Sequence, residues 1–233
     1  MGSRFFKGVS HGIPIALGYL SVSFGFGITA ASSGLSTLEA SVISASNLTS
    51  AGQAAGVGII AAGGTLLEMA LVQLTINIRY ALMGLSLSQK LDKRFTAPHR
   101  LIASYGITDE IFAVCSAQDK PLTPAYMYGM ILIAMLGWVT GTFLGASAGE
   151  LLPQSVSSAL GIVLYGMFLA IIVPPSRKNK SILCVVVAAA LLSIVFKYAL
   201  SFVSAGFAVM ICAIAAAALG ALLFPINDEE AEE

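Results

Sequence analysis

Apolar runs long enough to cross a lipid bilayer follow one another along almost the whole of this chain, at about 10–33, 40–62, 64–88, 101–118, 123–147, 155–173, 181–198 and 199–224. A hydrocarbon core about 30 Å thick takes roughly 20 helical residues to cross. Backbone polar groups inside it must be satisfied within the segment, which favours helices. A water-soluble domain of 233 residues could not cover such a chain, because 57% of its residues are hydrophobic and only 10% are charged. The expected fold is therefore all-α: a polytopic integral membrane helical bundle of seven or eight hydrophobic segments, one transmembrane domain over residues 1–226. An acidic tail, NDEEAEE at 227–233, follows as a solvated end.

The start MGSRFFKG places two basic residues before an apolar run that is too long for a cleaved signal, so it reads as the first span. Phe6 stands where a myristoylation signal needs Ser or Thr. Cys115, Cys184 and Cys212 are odd in number, far apart and embedded in apolar segments, which suits small buried side chains better than disulfides or metal ligands. A formal net charge of zero argues against a nucleic-acid partner. No nucleophile and base pair, HExxH spacing or phosphate loop is present, so neither an enzyme nor a cofactor is expected.

The charges that exist cluster at segment ends. RFFK (4–7), QKLDKRFTAPHR (89–100), QDK (118–120) and SRKNK (176–180) carry the basic residues, whereas SGLSTLE (33–39) and GELLPQ (149–154) do not. Positive charge favours the cytoplasmic side, which puts the N-terminus and the basic loops of a multi-pass protein there, in the cell (inner) membrane. If all four basic clusters share one side, the segments 40–62 and 101–118 cannot both be ordinary spans. Either each enters and leaves on one side, or the 89–100 loop lies outside despite Lys90, Lys93, Arg94 and Arg100.

Composition favours breaks in both. SASNLTSAGQAAGVG (44–58) interrupts its helix with three glycines and with Asn47, Thr49, Ser50 and Gln53. ASYGITDEIFAVCSA (103–117) places Gly106 before Thr108, a natural N-cap, with Asp109 and Glu110 in the first turn, where the helix dipole favours acids. Irregular backbone at membrane depth needs protein or a water-filled cavity around it. Paired interruptions of this kind point to a transporter's binding site.

An echo also runs through the chain. LGYLSVSFGFG (17–27) and LGWVTGTFLGA (136–146) agree at Leu, Gly, an aromatic, a small hydroxyl residue and Phe. It fits an internal structural repeat, or two glycine-spaced packing faces, since small residues let membrane helices approach closely. Gly137, Gly141 and Gly145 in particular offer a face for a further helical partner.

The run from Thr65 to Leu87 carries polar residues where a lipid-facing helix should not. At 100° per residue, Thr75, Arg79 and Ser86 fall within about 20° of Glu68, whereas Gln73, Asn77, Tyr80 and Gly84 lie about 120° to 180° away. Neither stripe suits lipid, because a central charge costs about 2.5 to 3.5 kcal/mol even on a lenient scale. Arg79 lies eight residues from the end at Leu87, about 12 Å of rise. That places it near the midplane, with snorkelling to the surface as the alternative.

These residues carry a resemblance. GIPIALGYLSVSFGFGITAASSG (12–34), SAGQAA (50–55), INIRYALMGLSL (76–87) and YGITDEIFAV (105–114) are similar, in order and spacing, to the motifs of the AzlC family of branched-chain amino acid exporters. Two departures stand out: Ser23 and Phe24 replace a proline common in the first span, and Tyr80 replaces a histidine. The resemblance implies ion-coupled export of branched-chain or other hydrophobic amino acids, together with a small membrane subunit of the AzlD type. A zwitterionic substrate would then need an anion site, a cation site and an apolar pocket. Arg79 would take the carboxylate with its planar fork. Asp109 or Glu110 would take the ammonium or a coupled proton, while Asn77, Gln53 and Thr108 supply neutral hydrogen bonds. Phe24 and Gly25 would help shape the pocket.

The rival reading is a channel or passive pore for small polar solutes, with the same charges as a selectivity site. Lys197, near a segment boundary, and His11, behind the basic N-terminus, read as interfacial residues.

Overall fold

The computed structural model describes residues 2–151 and 172–225, together with 153, 155, 166 and 169. Most of the expected segment 155–173, and the tail 227–233, lie outside the described residues. Among those described the fold is all-helical. The helices described from end to end are α1 (Gly2–Ser32), α2 (Thr37–Ser46), α3 (Ser50–Ala61), α4 (Leu66–Ser88), α5 (Ala97–Tyr105), α6 (Asp109–Ser116), α7 (Pro124–Leu151), α8 (Lys180–Tyr198) and α9 (Ala205–Leu223), and residues 172–178 are helical as well. Five of them, α1, α4, α7, α8 and α9, are long and apolar enough to cross a membrane. The segments 40–62 and 101–118 are each broken into two short helices of 8 to 12 residues.

The chain forms two compact units, Met1–Val57 with Asn77–Leu164, and Gly58–Ile76 with Tyr165–Glu233. The division falls within α3, after Val57, and again within α4, whose second half belongs to the first unit.

The first unit is organised by α1 and α7. They lie side by side and run in the same direction, with Gly137, Gly141 and Gly145 of α7 set against Ala16, Leu20 and Phe24 of α1. A Cβ added at any of these three glycines would approach α1 backbone closer than 3.0 Å. The two segments of the echo therefore pack on each other, with backbone approaching backbone as small residues allow in membrane helices. This corrects one expectation: the Gly137, Gly141 and Gly145 face is filled by α1 and leaves no room for a further helix.

Local chemistry explains where the chain turns. Gly34, at φ +89°, ends α1. The Leu35 N–H donates to Ala30 O and the Gly34 N–H to Ala31 O, so the last carbonyls are satisfied by a left-handed cap. Ser36 then opens α2 with a capping box: its Oγ accepts the Glu39 N–H, and the Glu39 carboxylate accepts the Ser36 N–H at 2.8 Å. α2 stops at Asn47, which is extended and whose Oδ1 accepts from the Thr49 hydroxyl at 2.7 Å. The break falls at 47–49, and Gly52 lies inside α3. In the second broken segment Gly106 caps α5, and Thr108 caps α6 by accepting from the Ile111 N–H. Thr108, Asp109 and Glu110 thus take the local roles their sequence suggests.

Three basic stretches of the first unit gather at one end. The Asp92 N–H donates to Leu122 O, the Leu122 N–H donates to Lys90 O, and Lys90 Nζ reaches Ser116 O. His11 Nδ1 lies 2.8 Å from the Tyr126 hydroxyl, and His99 Nδ1 lies 2.7 Å from that of Tyr128. The start of α5 and the end of α6 are therefore neighbours, so 97–116 is a hairpin of two half-length helices that enters and leaves at the basic end. α2 comes from the opposite end of α1. The Tyr105 hydroxyl donates to Ala45 O, so the break after α5 and the break after α2 meet halfway along α1 and α7. Around them Ile107, Ile111, Cys115, Met130 and Ile131 form the buried core.

In the second unit, Glu68 begins α4 and is 4% exposed. Its Oε1 accepts from Ser204 Oγ at 2.5 Å and from the Gly206 N–H at 3.0 Å, so a carboxylate caps the positive start of α9. The stripe of Glu68 and Arg79 read from the helical wheel is thus split between two tasks.

Candidate functional site

α4 delivers Arg79 to the first turn of α6. Arg79 Nη1 donates to both carboxylate oxygens of Asp109, at 2.6 and 2.5 Å. Nη2 donates to the Tyr80 hydroxyl at 3.0 Å, and the guanidinium carbon stands 4.7 Å from that ring's centre. The guanidinium is thereby fixed in place by an anion, a hydroxyl and an aromatic face. The two side chains remain 40% and 43% exposed, so the pair is accessible rather than sealed. An accessible ion pair can exchange partners without stranding a buried charge.

Next to this pair, Tyr19 of α1 donates its hydroxyl to Glu110 Oε2 at 2.5 Å and lies 2.6 Å from Thr108 Oγ1. Each hydroxyl has one hydrogen, and the set is satisfied when Thr108 donates to Tyr19. The Tyr19 ring meets Trp138 of α7 edge to face, with centroids 5.2 Å apart. Trp138 Nε1 donates to Gln53 Oε1 at 2.8 Å. The Gln53 amide nitrogen donates to Ser44 Oγ at 2.8 Å, and Ser44 lies 2.7 Å from Thr142 Oγ1. A polar and aromatic chain thus runs from Arg79 and Asp109 through the Thr108 turn, Tyr19, Trp138 and Gln53 to Ser44 and Thr142. It passes both helix breaks.

The sequence-derived residues divide accordingly. Arg79, Asp109, Glu110 and Thr108 come together at one turn, and Gln53 joins them through Trp138 and Tyr19. Gln53 is 1% exposed and its amide is engaged on both sides, as is the hydroxyl of buried Thr108. Asn77 lies on α4, two residues before Arg79, and is half-buried. Phe24 and Gly25 lie further along α1 than Tyr19; the Phe24 backbone packs on Gly145, and the Gly25 carbonyl accepts from Thr29 Oγ1. Neither makes a hydrogen bond to the chain that links the breaks.

Sequence reasoning missed Tyr19, Trp138, Ser44 and Thr142 as members of this network. A signal was present, because the echo aligns Tyr19 with Trp138 as its shared aromatic. Among the described residues, no group of three or more His, Cys, Asp or Glu could hold a metal ion.

Residues 14–152, more than half of the chain, match the family described as AzlC protein. The chain belongs to the AzlC family. The matched region spans α1 to α7 and so holds every residue of the network above. The inner membrane protein YgaZ of Escherichia coli (strain K12) is 30% identical over 80% of this chain and 78% of its own length. An uncharacterized membrane protein of Archaeoglobus fulgidus is 33% identical over 74% of this chain and 76% of its own. One of Helicobacter pylori (strain J99) is 25% identical over 73% and 75%. No solved structure matches. This AzlC-family chain is a multi-pass membrane protein, and its family and relatives support a membrane transporter.

Proposed function

We propose that this protein carries branched-chain or other hydrophobic amino acids outward across the cell (inner) membrane in an ion-coupled cycle. The observation that carries the reading is the Arg79 and Asp109 pair, held at the break between α5 and α6 and left accessible. A substrate carboxylate would compete with Asp109 for the Arg79 guanidinium, which already presents donors to a carboxylate. The substrate ammonium would take the released Asp109 or the neighbouring Glu110. Tyr19 and Trp138 form an aromatic floor beside these charges, and Asn77, Phe24 and Gly25 extend the site along α4 and α1. Gln53 and Thr108 act as positioning residues that tie the two breaks to that floor.

The basic end of the first unit faces the cytoplasm under the positive-inside rule. A small AzlD-like membrane subunit is the expected partner. That part rests on the family resemblance alone, since the glycine face once available for it is occupied by α1.

Counterflow in proteoliposomes tests the proposal. Protein preloaded with unlabelled leucine should accumulate labelled leucine transiently. A passive pore would only equilibrate, and that result would overturn a carrier cycle.

A further inference from the structure

At the basic end of the first unit, a cleft of about 650 Å³ opens where α1, α5 and α7 begin, lined in part by Arg4, Phe5, Arg94, His99, Pro124 and Tyr128. Two guanidinium groups border it. Among the described residues the acid that interacts with them is Asp92, which accepts from Arg94 Nε at 2.9 Å and from Nη2 at 2.7 Å, so that Arg94 still presents a second guanidinium edge at Nη1. The Arg94 side-chain and backbone hydrogen bonds hold the Asp92 carboxyl below its usual range, and the charge of Arg4 adds a smaller pull in the same direction. Phe5, Pro124 and Tyr128 supply an apolar wall to the same cleft. The positive ends of three helices converge on the same space and add to its preference for an anion.

We propose that this cleft binds an anionic phospholipid, with the phosphate between Arg4 and Arg94 and an acyl chain against Phe5, Pro124 and Tyr128. The argument is one of matched chemistry and level. α1 and α7 both have the length of a bilayer span and both begin here, so the cleft lies where headgroups meet hydrocarbon. Basic pockets between membrane helices at the cytoplasmic side suit anionic headgroups. A small soluble anion would use the guanidiniums but not the apolar wall, whereas a phospholipid uses both.

Native mass spectrometry of the full chain in detergent tests this, with phosphatidylglycerol and phosphatidylcholine added at equal concentration. Phosphatidylglycerol should be retained preferentially, and Arg4→Gln and Arg94→Gln should each weaken it about fivefold, the effect of one basic residue near an anionic surface. Ala125→Trp fills the cleft without changing charge and should also reduce binding, whereas Lys120→Gln, in the same unit but outside the lining of the cleft, should not. Equal retention of the two lipids, or undiminished phosphatidylglycerol binding by Ala125→Trp, would overturn the proposal. Displacement of phosphatidylglycerol by inorganic phosphate alone would show a soluble-anion site and would overturn it as well.

Discussion

The rings of Tyr19 and Trp138 meet edge to face at 5.2 Å, and each sends its polar atom to a different interruption of the helical scaffold. Tyr19 serves the α5 and α6 break, and Trp138 serves α3 just past its own. The contact is therefore a mechanical link between the two helix breaks, and its energetics are open to measurement. Tyr19→Phe keeps the ring but leaves Thr108 and Glu110 without the hydroxyl; Trp138→Phe leaves Gln53 Oε1 without its donor. Each should destabilise the detergent-solubilised protein by about 1 to 3 kcal/mol, the cost of losing a buried hydrogen-bond partner. Because the rings touch, the double variant should depart from additivity by about 0.5 kcal/mol or more. Strict additivity in thermal unfolding would show that the breaks are not coupled through this pair.

Arg79 and Asp109 are separable by the kind of defect they produce. Arg79→Lys keeps the charge but loses the fork shared between Asp109 and Tyr80. Substrate affinity should fall about tenfold while protein yield holds, in line with one charge-assisted hydrogen bond. Under the proposed ion-coupled cycle, Asp109→Asn should abolish pH-driven accumulation yet retain exchange, since an amide keeps the shape of the carboxylate but cannot take up a proton in its place. Equal loss of folded protein in both variants would mark a purely structural ion pair.

The close approach of α1 and α7 is tested by two glycines that the echo aligns, Gly18 and Gly137. A Cβ at Gly137 would collide with the Ala16 backbone, whereas at Gly18 it meets nothing within 4 Å. Gly137→Ala should lower stability by about 1 to 3 kcal/mol, as overpacking does. Gly18→Ala should be neutral or raise it by about 0.5 to 1 kcal/mol through helix propensity. Matching melting temperatures for the two would refute the close seating of α7 on α1.

In the 89–96 loop, Asp92 is held well below the usual carboxylate range, first by the Arg94 side-chain hydrogen bonds and then by the Arg94 backbone N–H. A depressed folded-state pKa adds stability above the unfolded value of about 3.9 and loses it as pH falls through the folded value. Wild type should therefore be more stable than Asp92→Asn at neutral pH, and the two melting curves should converge in acid. A constant difference from neutral pH into strong acid would remove Asp92 from this linkage.

Orientation can be read chemically. With the basic end inside, single cysteines at Lys93 and Arg177 should resist an impermeant thiol reagent in intact cells, while one at Leu38, beyond the far end of α1, should react. Labelling of Lys93→Cys from outside would reverse the assignment.

Much of this was legible in the sequence because membrane folding leaves strong local marks. Run length identified the spanning helices, and Thr108 with Asp109 and Glu110 marked the start of α6 through capping alone. Those signals act within a few residues, so no tertiary knowledge is needed to read them. The first break falls inside the 44–58 stretch, at the Asn47 and Thr49 it contains rather than at its glycines: the side chain of Asn47 competes for the backbone and ends α2, while Gly52 lies inside α3.

Only the tertiary structure decided which polar residues meet. A helical wheel puts Glu68 and Arg79 on one stripe, yet Glu68 caps α9 and Arg79 pairs with Asp109, because a long helix can satisfy each end against a different neighbour. Composition marks Gly137, Gly141 and Gly145 as a packing face without naming what packs there; the parallel seating of α7 on α1 supplied the answer. Tyr19 and Trp138 lie 119 positions apart, so only that seating brings them into contact. Periodicity and capping are properties of neighbouring residues, whereas pairing across helices depends on how whole backbones approach, which small residues permit but do not specify.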